Sequence, residues 1–299
     1  MQKLTLRLET VTPMLLGGAD NRTPELRSPP FRGLMRYWLR AALGGVIGDT
    51  NLRGLHQLES AVFGSPDVGS PISVRLTPIS VKTRKAFILP HKKKGVRSGL
   101  VGSFELTVTQ PRNSDQEVWN AAVSSLVLAL SFGGVGLRSR RGYGTLRVAE
   151  ASDNSIPVFP ASLDDWKQQI NRITSATIEA ARKLAQSQGV TLASLPAGPA
   201  RYPCATRSGL IRLCDIQASS AMEAVIQFMN SVPKTNWLGG ITPRQASPLW
   251  VRPIQTTKSW GLLCTVLASN FPGMNYTALK QFLDNKFPGK YLQVKGWNV

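Results

Sequence analysis

The segment Gly133-Gly134-Val135-Gly136-Leu137-Arg138-Ser139-Arg140-Arg141-Gly142-Tyr143-Gly144 packs five glycines, three arginines and a tyrosine between an apolar helical run and a short strand-like run. Glycine lets a backbone approach a ligand closely and adopt positive φ, which leaves amide N–H groups free to face an anion. Arginine adds a planar, permanent charge whose fork matches phosphate oxygens, and an aromatic ring adds a face on which a base can stack. The chemistry expected is a grip on a sugar-phosphate chain through Gly134, Gly136, Arg138, Arg140, Arg141 and Tyr143. The plainer reading of the same residues is a flexible, solvated turn. A dinucleotide fingerprint is not met: Ser139 stands where the third glycine of GxGxxG falls, and the segment follows a helix rather than a strand.

Other basic groups accompany it. Arg32, Arg36 and Arg40 recur four apart, so on a helix they share one face, either beside the glycine-rich segment or simply solvated. Lys82, Arg84, Lys85, Lys92, Lys93, Lys94 and Arg97 lie in one stretch, which reads as a flexible hairpin or thumb reaching over RNA, or as a solubilising loop. Trp237-Leu238-Gly239-Gly240-Ile241-Thr242-Pro243-Arg244 offers a second glycine-plus-arginine site, or a loop packed between domains. Tyr37 and Trp38 are candidate stacking residues, although Trp38 sits in a helical apolar stripe and suits a core.

Catalytic signatures are missing from the sequence. The two histidines are His56, in a helix-like stretch, and His91, beside three lysines. Neither stands in an HxxxH, HExxH or serine-elbow context, and there is no Walker loop. Cys204, Cys214 and Cys264 have no metal-ligand spacing, and their odd number suits a reducing, cytoplasmic setting rather than a disulfide framework. The expectation is therefore no catalytic residue, no cofactor and no metal.

The chain carries 36 Lys and Arg against 17 Asp and Glu, a net charge of +19 in 299 residues. Both halves are basic, with 21 cations against 10 anions in residues 1–150 and 15 against 7 in the remainder. Spread charge of this kind predicts a long polyanion, RNA or DNA first and an anionic membrane surface second, with salt-sensitive binding. No segment approaches the roughly 20 apolar residues of a membrane helix.

The elements that must position these groups repeat. Strand 2–12, a helix from Gly33 to Val46, a second helix over 52–63, strands 72–80 and 102–109, helix 115–131 and strand 145–149 give β-α-β-β-α-β, with 19–30 as a loop. After a connection at 151–160 and a long amphipathic helix at 163–188 come strand 210–217, helix 220–230, strands 249–254 and 261–268, helix 276–286 and a tail strand 291–294. The fold expected is α+β: two ferredoxin-like domains in tandem, 1–152 with the glycine-rich loop and 153–299 with an inserted helix.

An N-terminal strand, then Ser28-Pro29-Pro30-Phe31-Arg32-Gly33 leading into Leu34-Met35-Arg36-Tyr37-Trp38, and much later Gly133–Gly144, together resemble the RAMP proteins of CRISPR systems. With Arg244-Gln245-Ala246-Ser247-Pro248-Leu249 added, the pattern is most similar to the first-subunit family of the type III-B (Cmr) effector complex. The resemblance covers most of the chain and is weakest over 155–240. It implies a non-catalytic subunit that caps an RNA-guided complex near the 3′ end of the CRISPR RNA. It also implies CRISPR RNA, single-stranded target RNA and other effector subunits as partners, with no membrane. Two alternatives stay open: a metal-independent CRISPR-RNA endoribonuclease using His56, and a scaffold whose basic faces meet acidic neighbours.

Overall fold

Alternation of apolar and polar residues makes Gln2–Thr10 a half-buried strand, β1, with Leu4, Leu6 and Leu8 inward. The computed structural model describes the chain except residues 21, 112–114, 158–161, 195–197, 207, 241–243, 257–258 and 295–299. Helix α1 runs Ser28–Ile47, beginning five residues before the start expected at Gly33. The reason lies in its first turn. Pro29 and Pro30 occupy positions whose N–H groups have no helical partner, so proline starts the helix there instead of ending it. Helix α2 (Leu52–Phe63), capped by the Asn51 side chain, leads to strands β2 (Ser73–Leu89) and β3 (Lys94–Gln110). Helix α3 (Gln116–Phe132), with Asp115 accepting from the Glu117 amide, precedes the glycine-rich loop and β4 (Leu146–Ala151).

The second half supplies α4 (Leu163–Ser187), β5 (Leu210–Ala218), α5 (Ala221–Ser231), β6 (Leu249–Gln255), β7 (Trp260–Val266), α6 (Tyr276–Lys286) and β8 (Gly289–Leu292). Both sheets have four strands, in the orders β2-β3-β1-β4 and β6-β7-β5-β8, and every pairing is antiparallel. Reduced to position within each unit, both read 2-3-1-4. This is the ferredoxin-like arrangement that the element order predicts.

The layers explain a difference between the two sheets. In the first, β1 and β3 alternate, one face packed on α1 and α3 and the other, with Lys3, Thr5 and Thr107, more open. In the second, β6 and β7 are buried nearly throughout. Leu249, Val251, Leu262 and Cys264 join a core with Phe228 and Leu283 of α5 and α6. Trp250, Ile254 and Leu263 join the core built from α1, α3 and α4. The second sheet is thus covered on both faces, which is why its strands read as continuous apolar runs. Helix α4, grouped with the second half in the sequence, lays Trp166, Ile170 and Ile173 against that first core and packs on α1 and α3.

The basic stretch 82–97 is a hairpin, the first of its two expected readings, and not an unstructured loop. β2 and β3 stay in register out to Leu89 opposite Lys94, and the turn Pro90–Lys92 closes a long two-stranded ribbon. Gly102, at φ +122°, allows the bulge at its base, where a Cβ would overlap the Ser80 carbonyl. The ribbon crosses to the other domain: Ala86, Ile88 and Leu89 pack on the second core and the turn contacts α5. The sequence over 82–97 lacks period-two alternation because its outer half meets a core only at the tip.

Candidate nucleic-acid interface

The glycine-rich loop is held at both ends by the second domain. Arg252, buried in β6, donates from Nη1 to the Gly133 carbonyl at 3.3 Å and from Nη2 to the Leu146 carbonyl. Its burial works against the charge and pulls the guanidinium down to about 9, which still leaves it protonated at neutral pH. Within the loop the glycines are chiefly there for close packing. Gly144 has φ +63° and a Cβ there would lie 1.9 Å from the Val135 carbonyl; Gly136, at φ +95°, would meet the Leu15 carbonyl at 2.7 Å, and Gly134 the Tyr143 carbonyl at 2.5 Å.

The three loop arginines have different fates. Arg140 donates to the Ser247 carbonyl and stacks over Trp250 and Tyr37, its guanidinium carbon 4.8 and 5.2 Å from the ring centres. Arg141 donates to the Leu238 carbonyl at 2.6 Å and to Ser247 Oγ at 3.3 Å. Burial, with Arg138 and Arg140 nearby, lowers it to about 10. The Arg138 side chain makes no hydrogen bond and no ion pair among the described residues, while its carbonyl accepts from the Arg141 and Tyr143 amides at 2.8 and 3.4 Å. The residue sits in the left-handed region at φ +63°, followed by the 3-10 turn Ser139–Arg141. None of the amides of Arg138, Ser139 and Arg140 has an acceptor among the described residues, and a left-handed residue followed by a helical turn is a conformation in which successive amides converge. Such a run of amides is an anion-binding concavity.

These groups open onto a cavity of about 380 Å³ between Gly136–Arg141 on one side and Leu238–Gly240, Gln245 and Ser247 on the other. The fold therefore brings together the two glycine-plus-arginine segments that lie about a hundred residues apart in the chain. Arg244 is exposed beside it, on the turn in which Gly240 and Gln245 exchange backbone hydrogen bonds, and has no ion pair among the described residues. Residues 241–243 of that segment lie outside the described ones.

The RAMP superfamily profile matches residues 7–147, from β1 through the loop into β4. A curated relative, CRISPR system Cmr subunit Cmr1-2 of Pyrococcus furiosus, is 31% identical over 180 residues, an alignment taking in 50% of this chain and 96% of the relative. The chain belongs to the RAMP superfamily. Cmr subunit Cmr1-1 of the same organism is 30% identical over 196 residues, covering 58% of this RAMP chain and 56% of that one. Across the fold, the crystal structure of Cmr1 from Pyrococcus furiosus in its apo form superposes with a TM-score of 0.68 at 22% identity, covering 100% of this chain and 99% of that one. A chain in a cryo-EM structure of type III-B Cmr-beta bound to cognate target RNA superposes at 0.61 with 11% identity, covering 94% and 98%.

The remaining expected contacts separate in this RAMP structure. Arg32, Arg36 and Arg40 do share one face of α1, but that face meets the C-terminus of α2. Arg32 and Arg36 donate to the Phe63 carbonyl at 3.0 and 3.2 Å, and Arg36 also to the Gly64 carbonyl. Arg36 and Arg40 pair with Glu59 at 3.3 and 3.4 Å. Orphan carbonyls and the negative end of a helix account for this placement. Tyr143, expected as a stacking ring, is fully buried; its hydroxyl donates to the Phe87 carbonyl of the ribbon, and burial raises it to about 12. No base can reach it in this arrangement. Tyr37 and Trp38 likewise pack with Trp250, whose indole N–H donates to the Tyr37 hydroxyl at 3.1 Å.

Lys92, Lys93 and Lys94 are exposed at the ribbon tip without ion pairs among the described residues. Lys82, Arg84 and Lys85 are exposed along β2, and no carboxylate occurs between Arg75 and Glu105. His91, at the same tip, has its pKa lowered by partial burial and by the charges of Lys92 and Arg138, and the hydrogen bond from Tyr143 to the Phe87 carbonyl places the ribbon beside the loop. His56 is exposed on α2 and lines a separate groove with Arg32, Arg36 and Glu59. Sequence reasoning missed Trp250, Arg252 and Ser247. An arginine among apolar residues in Leu249–Gln255 was the one available signal, and it gave no hint of the partner. Among the described residues no helix is long and apolar enough to cross a membrane, and no group of His, Cys, Asp or Glu is placed to hold a metal ion.

Proposed function

We propose that this chain is a non-catalytic RNA-binding subunit of a type III-B (Cmr) CRISPR effector complex. In this reading it grips CRISPR RNA or target RNA near the end of the assembly and adjoins other effector subunits. The observation that carries it is the cradle at the domain junction: the Arg138 guanidinium and three neighbouring amides, none with an acceptor among the described residues, between two domains that are both basic. A positive ribbon without carboxylates approaches the same junction. Curated relatives that are Cmr subunits, and the likeness to a chain of a complex bound to target RNA, support the choice of polyanion. The place near the guide's 3′ end rests on the family resemblance.

The test is single-stranded RNA binding across a salt series. Affinity should fall steeply, and replacing Lys92, Lys93 and Lys94 together by alanine should flatten the plot of log K against log salt by about 2, since each phosphate contact on a single strand adds roughly 0.7 to the slope. A scaffold that contacts only acidic proteins would show no RNA binding even at low salt. The endoribonuclease alternative assigns the base to His56, which lines the α1–α2 groove and not the loop's cavity, whereas His91 of the ribbon tip is the histidine nearer the loop. Any processing activity that disappears on His56→Ala would reinstate it.

A further inference from the structure

The cavity between the two glycine turns is larger than one phosphate needs. At about 380 Å³ it falls in the size class of small-ligand pockets, roughly 300 Å³ and upward. One end is the cradle of Arg138 and the amides of Arg138–Arg140. The lining carries three guanidiniums and no carboxylate, so the ligand selected is anionic.

Away from the cradle the lining changes character. Leu137, 41% exposed, offers apolar surface at the margin. Gly239 and Gly240 offer bare backbone, and Gly239, at φ +104°, is kept free of a side chain because a Cβ would press on the Gln245 carbonyl and the Ser247 amide, each at 3.0 Å. Gln245 is fixed through its main chain, its N–H and carbonyl both bonded to Gly240 at 2.9 and 3.1 Å. Its side-chain amide has no hydrogen-bond partner among the described residues. The other hydroxyl on this wall, Ser247, is already engaged by Arg141 and by the Leu249 amide. A carboxamide sets a donor beside an acceptor, the arrangement that reads a base edge.

From this juxtaposition we infer that the cavity holds a single nucleotide of the bound RNA, phosphate on the cradle and base over Leu137 and the glycine pair, with Gln245 reading the base edge. The inference rests on the RNA-binding reading and adds to it base selectivity at one position of an otherwise sequence-tolerant surface. A carboxamide meets the N6–H and N7 of adenine together, and adenine is the occupant we assign.

The experiment is fluorescence anisotropy with short homopolymeric RNA strands of A, C and U at one low salt concentration, using wild type, Gln245→Leu and Leu137→Ala. Wild type should bind the A strand about tenfold more tightly than the other two, the scale of one bidentate base contact. Gln245→Leu should bring the A strand to the level of C and U and leave those two unchanged. Leu137→Ala, which leaves the second domain untouched, should weaken the A strand in the same direction. Binding of all three strands by wild type within about twofold, or an A preference that survives Gln245→Leu, overturns the nucleotide pocket while leaving general RNA binding standing. Failure of wild type to bind any strand overturns both readings.

Discussion

Replacing Arg252 by alanine should lower the unfolding free energy by about 3–5 kcal/mol. The substitution strands the Gly133 and Leu146 carbonyls in a buried setting, at roughly 1–3 kcal/mol each, and leaves the volume of a large side chain unfilled. Burying the guanidinium is itself a cost, consistent with its lowered pKa, so the loss expected is mainly that of its stranded carbonyl partners. Urea unfolding followed by tryptophan fluorescence measures it. Because Arg252 belongs to the second domain and its acceptors to the first, the variant should also lose the single cooperative transition. A midpoint close to wild type, with cooperativity intact, would show that the loop ends are held by other contacts.

Arg138→Ala should weaken RNA binding by about 1.5–3 kcal/mol, roughly ten- to hundredfold, the value of a hydrogen bond to a charged group, with an unchanged melting temperature. Arg140→Ala and Arg141→Ala should instead lower the melting temperature, because their guanidiniums are committed to Ser247, Leu238 and the Tyr37–Trp250 pair. Replacing all three together, the variant the sequence invites, would mix loss of RNA contact with loss of domain coupling. The single variants separate them. Equal RNA affinity for Arg138→Ala and wild type would remove the cradle from the RNA path.

The three loop arginines show how far residue type reaches. Their charge and the glycines around them mark a candidate anion site, but type and spacing carry no information on which guanidinium already has a carbonyl partner. The same holds for Arg32, Arg36 and Arg40. Four-residue spacing puts them on one helical face, as α1 confirms, yet the acceptors of Arg32 and Arg36 are carbonyls at the end of α2, about 30 residues away in the chain, and Arg40 pairs with Glu59 of α2. Tyr143 was read as a stacking ring because aromatic residues in glycine-rich loops are ambiguous between ligand and core, and burial beneath the ribbon decides for core.

Hydrophobic periodicity, local turn chemistry and composition determined nearly every helix and strand here, both four-stranded units and the strongly positive charge, because those properties depend on neighbours within a few residues and on summed charge. The tertiary structure alone decided that the second sheet is covered on both faces, that the basic stretch is a docked ribbon and that Arg138 is left uncommitted where Arg140 and Arg141 are not. It also decided that the glycine turn near Gly239 faces the one near Gly136. Each of these depends on which distant carbonyl or apolar face a side chain meets, and pairing across a hundred residues leaves no periodic trace in a single sequence.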